Sequence, residues 1–201
     1  MKVLSRLGSL IEVRQSWGGK TLYIDGHPQS QRCYRRDWNT IFKKSGVREI
    51  SDGASVLMLG LGGGDVIKLL THLQPKVTIT AVELESEVVQ VARDYFGVHE
   101  SDKVKIVVAD AQDHMRINKL KYDLVIVDLY SGDDVPKFVS GKQFLLQLAR
   151  VVKSKGLAII NYASHSFREG DFDRFESKLR RIFGSVKRIK TWGHTYFVAC
   201  A

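Results

Sequence analysis

Residues 56–65 read Val56-Leu57-Met58-Leu59-Gly60-Leu61-Gly62-Gly63-Gly64-Asp65, and the reading of this stretch decides the fold. Four apolar residues make a short buried strand, and a glycine cluster then stops it. From Val66 to Leu73 apolar residues resume at helical spacing. Strand, glycine turn and helix form the first unit of an open α/β sheet that binds a nucleotide at its carboxyl edge. Glycines allow the tight turn and let a ligand approach where a Cβ would collide. The pattern is Gly60-x-Gly62-x-Gly64, with Asp65 where the third glycine of the dinucleotide fingerprint would stand. That points to a nucleoside without a pyrophosphate, such as an adenosyl sulfonium, rather than to NAD.

Beyond residue 55 strands and helices alternate. Val77–Val82 is the second strand, closed by Glu83; Ser86 is placed to cap a helix ending at Gly97. Val104–Val108 is the third strand, running into Asp110-Ala111, and Asp123–Val127 the fourth, closed by Asp128. Ser140 to Gln143 reads as a capping box, Gly156 precedes a fifth strand over Leu157–Asn161, and a helix follows through Phe172 and Leu179. The last two strands, Val186–Ile189 and Tyr196–Ala199, are joined by too little chain for a crossover and must be antiparallel. Alternation predicts an α/β, doubly wound, mostly parallel seven-stranded sheet. Ahead of it, residues 9–25 alternate as a β-hairpin turning at Gly18-Gly19. Asp25 to Gln29 reads as a loop, and a short helix runs from Asp37 to Lys44. The expected division is residues 1–50 as a hairpin and helix, and 51–201 as a Rossmann-like nucleoside-binding transferase domain.

The chain has 201 residues, 44% of them hydrophobic and 26% charged, as in an ordinary globular protein. No apolar run spans a membrane and no signal-peptide stretch opens the chain, so no membrane partner is expected. Cys33 and Cys200 form no framework, which makes a reducing cytoplasm the default. The six histidines have no metal-ligand spacing, and no metal is expected. The net charge of +9 stands out. Cations gather over Arg32, Arg35, Arg36, Lys43 and Lys44, and again from Lys178 to Lys190. They read as solvated faces on two helices and a strand, with nucleic acid as the alternative partner. No base-stacking aromatic motif accompanies them.

Polar groups stand at the carboxyl ends of successive strands. Glu83 suits both ribose hydroxyls, Asp110 with the Ala111 amide suits the edge of adenine, and Asp128 falls near a ligand's reactive end. One such carboxylate is commonly a helix cap; three after a glycine turn point to a ligand. This combination resembles the spermidine-synthase-like branch of the class I methyltransferase superfamily. The resemblance rests also on Asp25-Gly26-x-x-Gln29, Val82-Glu83-Leu84-Glu85, Tyr122 to Asp128, and Phe144 to Gly156. It implies strand order 3-2-1-4-5-7-6 and S-adenosylmethionine, or its decarboxylated form, as cofactor. The cofactor-binding set is then Gly60, Gly62, Gly64, Asp65, Glu83, Leu84, Asp110, Ala111 and Asp128. Catalysis falls to Asp128, Tyr130 and Asp133, and substrate binding to Gln29, Asp134 and Asn161.

The chain also departs from that branch. Aminopropyltransferases of the family carry an aspartate where Gly63 stands, and Asp-Ser-x-Asp-Pro where this chain has Asp128-Leu129-Tyr130-Ser131-Gly132-Asp133-Asp134. The tyrosine-histidine-glutamate segment of the first helix is missing, with Trp38 and Asn39 near its place. A +9 chain also repels polycations unless a local acidic cluster outweighs its field. These features favour methyl transfer to an unnamed small-molecule acceptor. Aminopropyl transfer making a polyamine is the alternative, and a non-catalytic nucleoside- or nucleic-acid-binding module a third. A homodimer stays open. Residues 129–139 read either as a lid or as a plain connection, and His165 is a candidate base on an exposed loop. The Asn/Asp-Pro-Pro-Tyr sequence of base-amine methyltransferases, the hydrolase Gly-x-Ser-x-Gly elbow and a phosphate loop are all lacking.

Overall fold

The computed structural model describes residues 1–17, 19–30, 32–163 and 167–201; His165 and Gly18 lie outside them. A seven-stranded sheet organises the chain. Its strands are β5 (Ser55–Leu59), β6 (Thr78–Glu83), β7 (Val104–Val108), β8 (Tyr122–Val127), β9 (Val152–Asn161), β10 (Ser185–Lys190) and β11 (Thr195–Cys200). They lie in the order β10-β11-β9-β8-β5-β6-β7, with β11 antiparallel to both its neighbours and the other pairings parallel. Numbered from β5, this is the order 3-2-1-4-5-7-6.

Alternation along each strand divides the core into two layers. Val56 and Met58 of β5, with Leu124 and Ile126 of β8, face α1 (Arg32–Lys44), α2 (Asp65–Leu73) and α3 (Ser86–Phe96). Leu57, Leu59, Val125 and Val127 face α4 (Ala111–Ile117), α5 (Lys142–Val151) and α6 (Glu169–Arg180). Burial on both faces explains why β5 and β8 read as unbroken apolar runs. It also sends whatever follows each strand to the carboxyl edge.

At the N-terminus the structure extends the expected hairpin to a four-stranded antiparallel sheet. Its strands are β1 (Lys2–Leu4), β2 (Leu10–Ser16), β3 (Gly19–Ile24) and β4 (His27–Ser30). Asp25 and Gly26 have φ of 50° and 82°, the positive pair a two-residue hairpin turn needs, so the expected loop is a turn leading into β4. This sheet packs Ile11, Val13 and Leu22 onto Val88 and Val91 of α3. That seats β4 beside the glycine turn.

Several expected boundaries moved. Helix α1 begins five residues before Asp37, because its first turns carry cations on an exposed arc rather than an apolar stripe. Ser86 is the first helical residue and Glu85 the cap position, without a side-chain cap bond. The Ser140 capping box does not form; Gly141 occupies the cap position and the Ser140 hydroxyl donates to the Lys137 carbonyl at 3.2 Å. Strand β9 starts at Val152 and runs through Gly156, where a Cβ would meet the Asp123 carbonyl oxygen at 3.1 Å.

Candidate active site

The carboxyl edge of the sheet and the β3–β4 corner enclose a cavity of about 430 Å³. Its floor is the glycine turn. Gly60 has φ of 91°, and a Cβ on it would overlap the carbonyl oxygen of Asp128. The Gly60 amide donates to the Val82 carbonyl at 2.8 Å, and the Asp128 amide donates to the Leu59 carbonyl at 2.9 Å. The turn, the end of β6 and the end of β8 are therefore one hydrogen-bonded unit. A left-handed side chain costs about 1–2 kcal/mol, and overpacking about 1–3 kcal/mol more. Gly60→Ala is expected to lower stability in urea titration by the sum of these. Gly193→Ala, where a Cβ meets nothing within 4 Å, is expected to be close to neutral. Equal stabilities for the two variants would contradict this description of the turn.

Glu83 closes β6 and locks the same turn. Its Oε2 accepts the Leu61 amide at 2.9 Å and its Oε1 the Glu85 amide at 3.1 Å. Burial pushes its carboxyl above the ordinary range, opposed by these amides and those of Leu84 and Gly62. Four backbone amides thus face the carboxylate, which lines the cavity beside the turn. Glu85 also lines the wall, is buried, and accepts the Ser9 hydroxyl at 2.7 Å. It was not expected from sequence.

Asp110 proves to be a helix cap as well as a wall residue. Its Oδ1 accepts the amides of Gln112 at 2.7 Å and Asp113 at 3.2 Å, and Ala111 beside it is buried against the cavity. Both cap bonds fall on one oxygen, so the cap leaves Oδ2 unused.

The departure at Gly63 has a steric cause. A Cβ there would meet the Ser30 hydroxyl oxygen at 2.6 Å, so Ser30 of β4 fills the space that any side chain would need. The Ser30 hydroxyl donates to Asp65, the first residue of α2, whose other carboxylate oxygen lies 3.5 Å from the Lys68 ammonium. Asp65, two residues along the chain from Gly63, lines the cavity wall.

At the far end Asp128 emerges from β8. Asn161, the last residue of β9, donates its Nδ2 to Asp128 Oδ1 at 2.9 Å, and the Trp38 indole donates to the same carboxylate. Burial raises the Asp128 pKa to about 6, against the pull of these two donors. Asn161 Oδ1 faces His194 Nδ1 at 3.1 Å. With the Asn161 amide turned this way, that histidine nitrogen carries the hydrogen. Aromatic rings close the pocket, with Tyr34 and His194 centroids 5.0 Å apart and Trp38 and Tyr196 centroids 5.1 Å apart. Burial, reinforced by the Asp128 charge, holds the Tyr130 and Tyr196 hydroxyls above their ordinary range, so both stay neutral donors.

The connection after Asp128 is pinned. Ser131 and Asp134 pair through their backbones, and Asp133 Oδ1 lies 2.7 Å from His27 Nδ1 on β4. This contact joins the loop to the N-terminal sheet across the mouth. Of the expected site residues, Gly60, Gly62, Asp65, Glu83, Leu84, Asp110, Ala111, Asp128, Tyr130, Asp133, Gln29 and Asn161 come together on the wall. Gly64 and Asp134 stand apart from it. Gly64 is the left-handed cap of α2 backed by the Val98 side chain, and Asp134 closes the exposed turn. Trp38, Tyr34, His194 and Tyr196 were missed. Trp38 alone carried a signal, and its helical spacing with Ile41 and Phe42 marked it as core.

The cavity's charge differs from that of the chain. Asp25, Asp65, Glu83 and Glu85 line one side, and Asp110, Asp128 and Asp133 line the rest. Among the described residues of the wall there is no lysine or arginine. In a chain of net charge +9, this is an acidic well in a basic surface.

Comparison with known proteins gives a consistent result. The model of the spermine/spermidine synthase domain matches residues 42–197. The polyamine aminopropyltransferase of Vibrio vulnificus is 28% identical over 138 residues, covering 67% of this chain and 45% of that protein. The mouse eEF1A lysine and N-terminal methyltransferase is 30% identical over 155 residues, covering 67% of this chain and 22% of its own length. The chain spans about half the length of the polyamine aminopropyltransferases it matches. In structure it resembles a probable spermidine synthase from Corynebacterium glutamicum, with a TM-score of 0.84 at 21% identity over all of this chain and 79% of that one. Human methyltransferase-like protein 13, solved with SAH, gives a TM-score of 0.70 at 22% identity, covering 83% of this chain and 81% of that one. At these identities the structural likenesses establish the fold.

Proposed function

The chain belongs to the spermine/spermidine synthase domain family, and from that premise we propose that its cavity binds decarboxylated S-adenosylmethionine and passes the aminopropyl group to an amine. The observation that carries this reading is the acidic well, seven carboxylates with no lysine or arginine among the described wall residues. Both reactants are cations, and the donor lacks the carboxylate that such a wall would repel. The polyamine aminopropyltransferases among the relatives support the same choice. Methyl transfer, favoured from the sequence, has weaker support, from the more distant methyltransferase relatives. Two of its premises change in three dimensions. Asp65 places an acid on the wall two residues from Gly63, and net charge is a poor guide to the potential inside a walled cleft.

When bound, the donor supplies a carbon activated by its sulfonium for displacement by an amine nitrogen. The remaining work falls to the chain. Glu83 and Asp110 hold the nucleoside at the floor. Asp128, oriented by Asn161 and Trp38, attracts the acceptor ammonium and takes its proton, which frees the nitrogen lone pair. A carboxylate with a pKa near 6 is a better base than an ordinary aspartate and is still ionised at pH 7. The rings of Tyr34, Trp38 and Tyr196 line this end of the cavity and exclude water. Titration calorimetry tests the donor assignment. Decarboxylated S-adenosylmethionine is expected to bind at least about tenfold tighter than S-adenosylmethionine, a difference of about 1.4 kcal/mol. Tighter binding of the carboxylated form would return methyl transfer to first place.

A further inference from the structure

Part of the chain's excess positive charge gathers on one face. Helix α1 carries cations on its exposed arc, and its single acid, Asp37, is buried and accepts the Thr191 hydroxyl at 2.8 Å. Arg35, Arg36, Lys43 and Lys44 are exposed. Strand β10 runs along the same helix, where Lys187, also exposed, donates to the Lys44 carbonyl at 3.1 Å. None of these five cations forms an ion pair among the described residues. On the opposite face the situation is reversed, because Arg188, Lys190 and Arg180 are matched by Glu169, Asp173 and Glu176 around α6. The structure thus pairs Arg180, Arg188 and Lys190 of the second basic cluster with acids and leaves Lys187 beside the bare cations of α1.

An aromatic side chain stands at the end of the bare stripe. The β10–β11 turn is tied to α1 by the Thr191–Asp37 bond and by the Tyr34–His194 ring contact, and Trp192 at its tip is 90% exposed. A solvated tryptophan beside an unpaired cationic row has the two elements with which proteins hold single-stranded nucleic acid, a track for phosphates and a platform for a base. The 13 residues of α1 extend about 20 Å, at about 1.5 Å per residue. That accommodates about six nucleotides stacked at about 3.4 Å each.

We propose that the α1 face, with Lys187 and Trp192, is a binding surface for single-stranded nucleic acid, separate from the cavity. The test uses the full chain and fluorescent twelve-residue oligouridine and oligothymidine, read by anisotropy over a salt series; binding of either supports the surface, and their ratio tells RNA from DNA. About four neutralised phosphates give a log–log salt slope near −3. R36E/K43E is expected to weaken binding by more than about tenfold. K119E/K121E, an equal change of charge at exposed lysines elsewhere, should weaken it by less than about threefold. Trp192→Ala should lose about tenfold with the slope unchanged. Thermal melting checks that each variant is folded, and R36Q/K43Q replaces the reversal if that variant melts early. Equal losses from the two charge reversals would overturn the proposal. So would parent-like binding by Trp192→Ala, duplex binding as tight as single-strand binding, or binding only to anionic phospholipid vesicles.

Discussion

Asp128→Asn is expected to remove most of the transfer activity while leaving a protein at least as stable as the parent at pH 7. General acid–base catalysis contributes about 10²–10⁴-fold, and the amide keeps the shape while losing the charge and the basic oxygen. The stability half follows from linkage. Burial raises the Asp128 pKa from 3.8 to about 6, so the folded state holds this proton more tightly than the unfolded chain. The associated stability is fully present below pH 3.8 and is lost as the pH rises through about 6. At 1.36 kcal/mol per unit, the ionised group costs about 3 kcal/mol at pH 7. Asparagine escapes that cost and forfeits about 1 kcal/mol, because it has one acceptor oxygen for the two donors Asn161 and Trp38. The variant's advantage in melting temperature should disappear below about pH 4, where both side chains are neutral. In the parent, kcat/KM should fall as the pH drops through about 6. A variant that melts earlier and stays active in proportion to its folded fraction would make Asp128 a structural residue.

Glu83→Ala is expected to cost the largest share of nucleoside affinity. Under the proposed function the carboxylate accepts the ribose hydroxyls, and its amide partners hold it still. Hydrogen bonds to a charged group contribute about 1.5–3 kcal/mol each. Losing two should weaken methylthioadenosine binding by at least about a hundredfold in calorimetry. Glu83→Gln, which retains one acceptor, should fall between that variant and the parent. Parent-like affinity for Glu83→Ala would remove the ribose assignment.

The parts of this protein legible in its sequence are those in which local pattern and tertiary role coincide. Buried parallel strands are apolar throughout, so β5 and β8 identified themselves and placed the glycine turn and Asp128 at the carboxyl edge. The short link between β10 and β11 fixed their antiparallel pairing. The ring-lined end of the cavity was harder to read, because its rings come from α1 and from His194 and Tyr196 at the start of β11, over 150 residues apart in the chain. Trp38 has a core residue's spacing and does two jobs, packing against Phe42 and donating to Asp128. Strand β4 was hidden because Pro28 and the Asp25-Gly26 turn made it look like a loop. Net charge was a poor guide to the cavity for a different reason. Net charge sums over the whole surface, whereas a bound cation responds to the groups lining its cleft, and here those are acids.

The most direct test is a competition for product. The purified chain is supplied with equal concentrations of decarboxylated S-adenosylmethionine and S-adenosylmethionine, together with putrescine. Methylthioadenosine and S-adenosylhomocysteine are then quantified over time. The acidic cavity predicts methylthioadenosine in large excess, formed at an enzymatic rate on the order of 1 per second, and lost in Asp128→Asn. S-adenosylhomocysteine as the main product, or methylthioadenosine formed equally fast by Asp128→Asn, would contradict it.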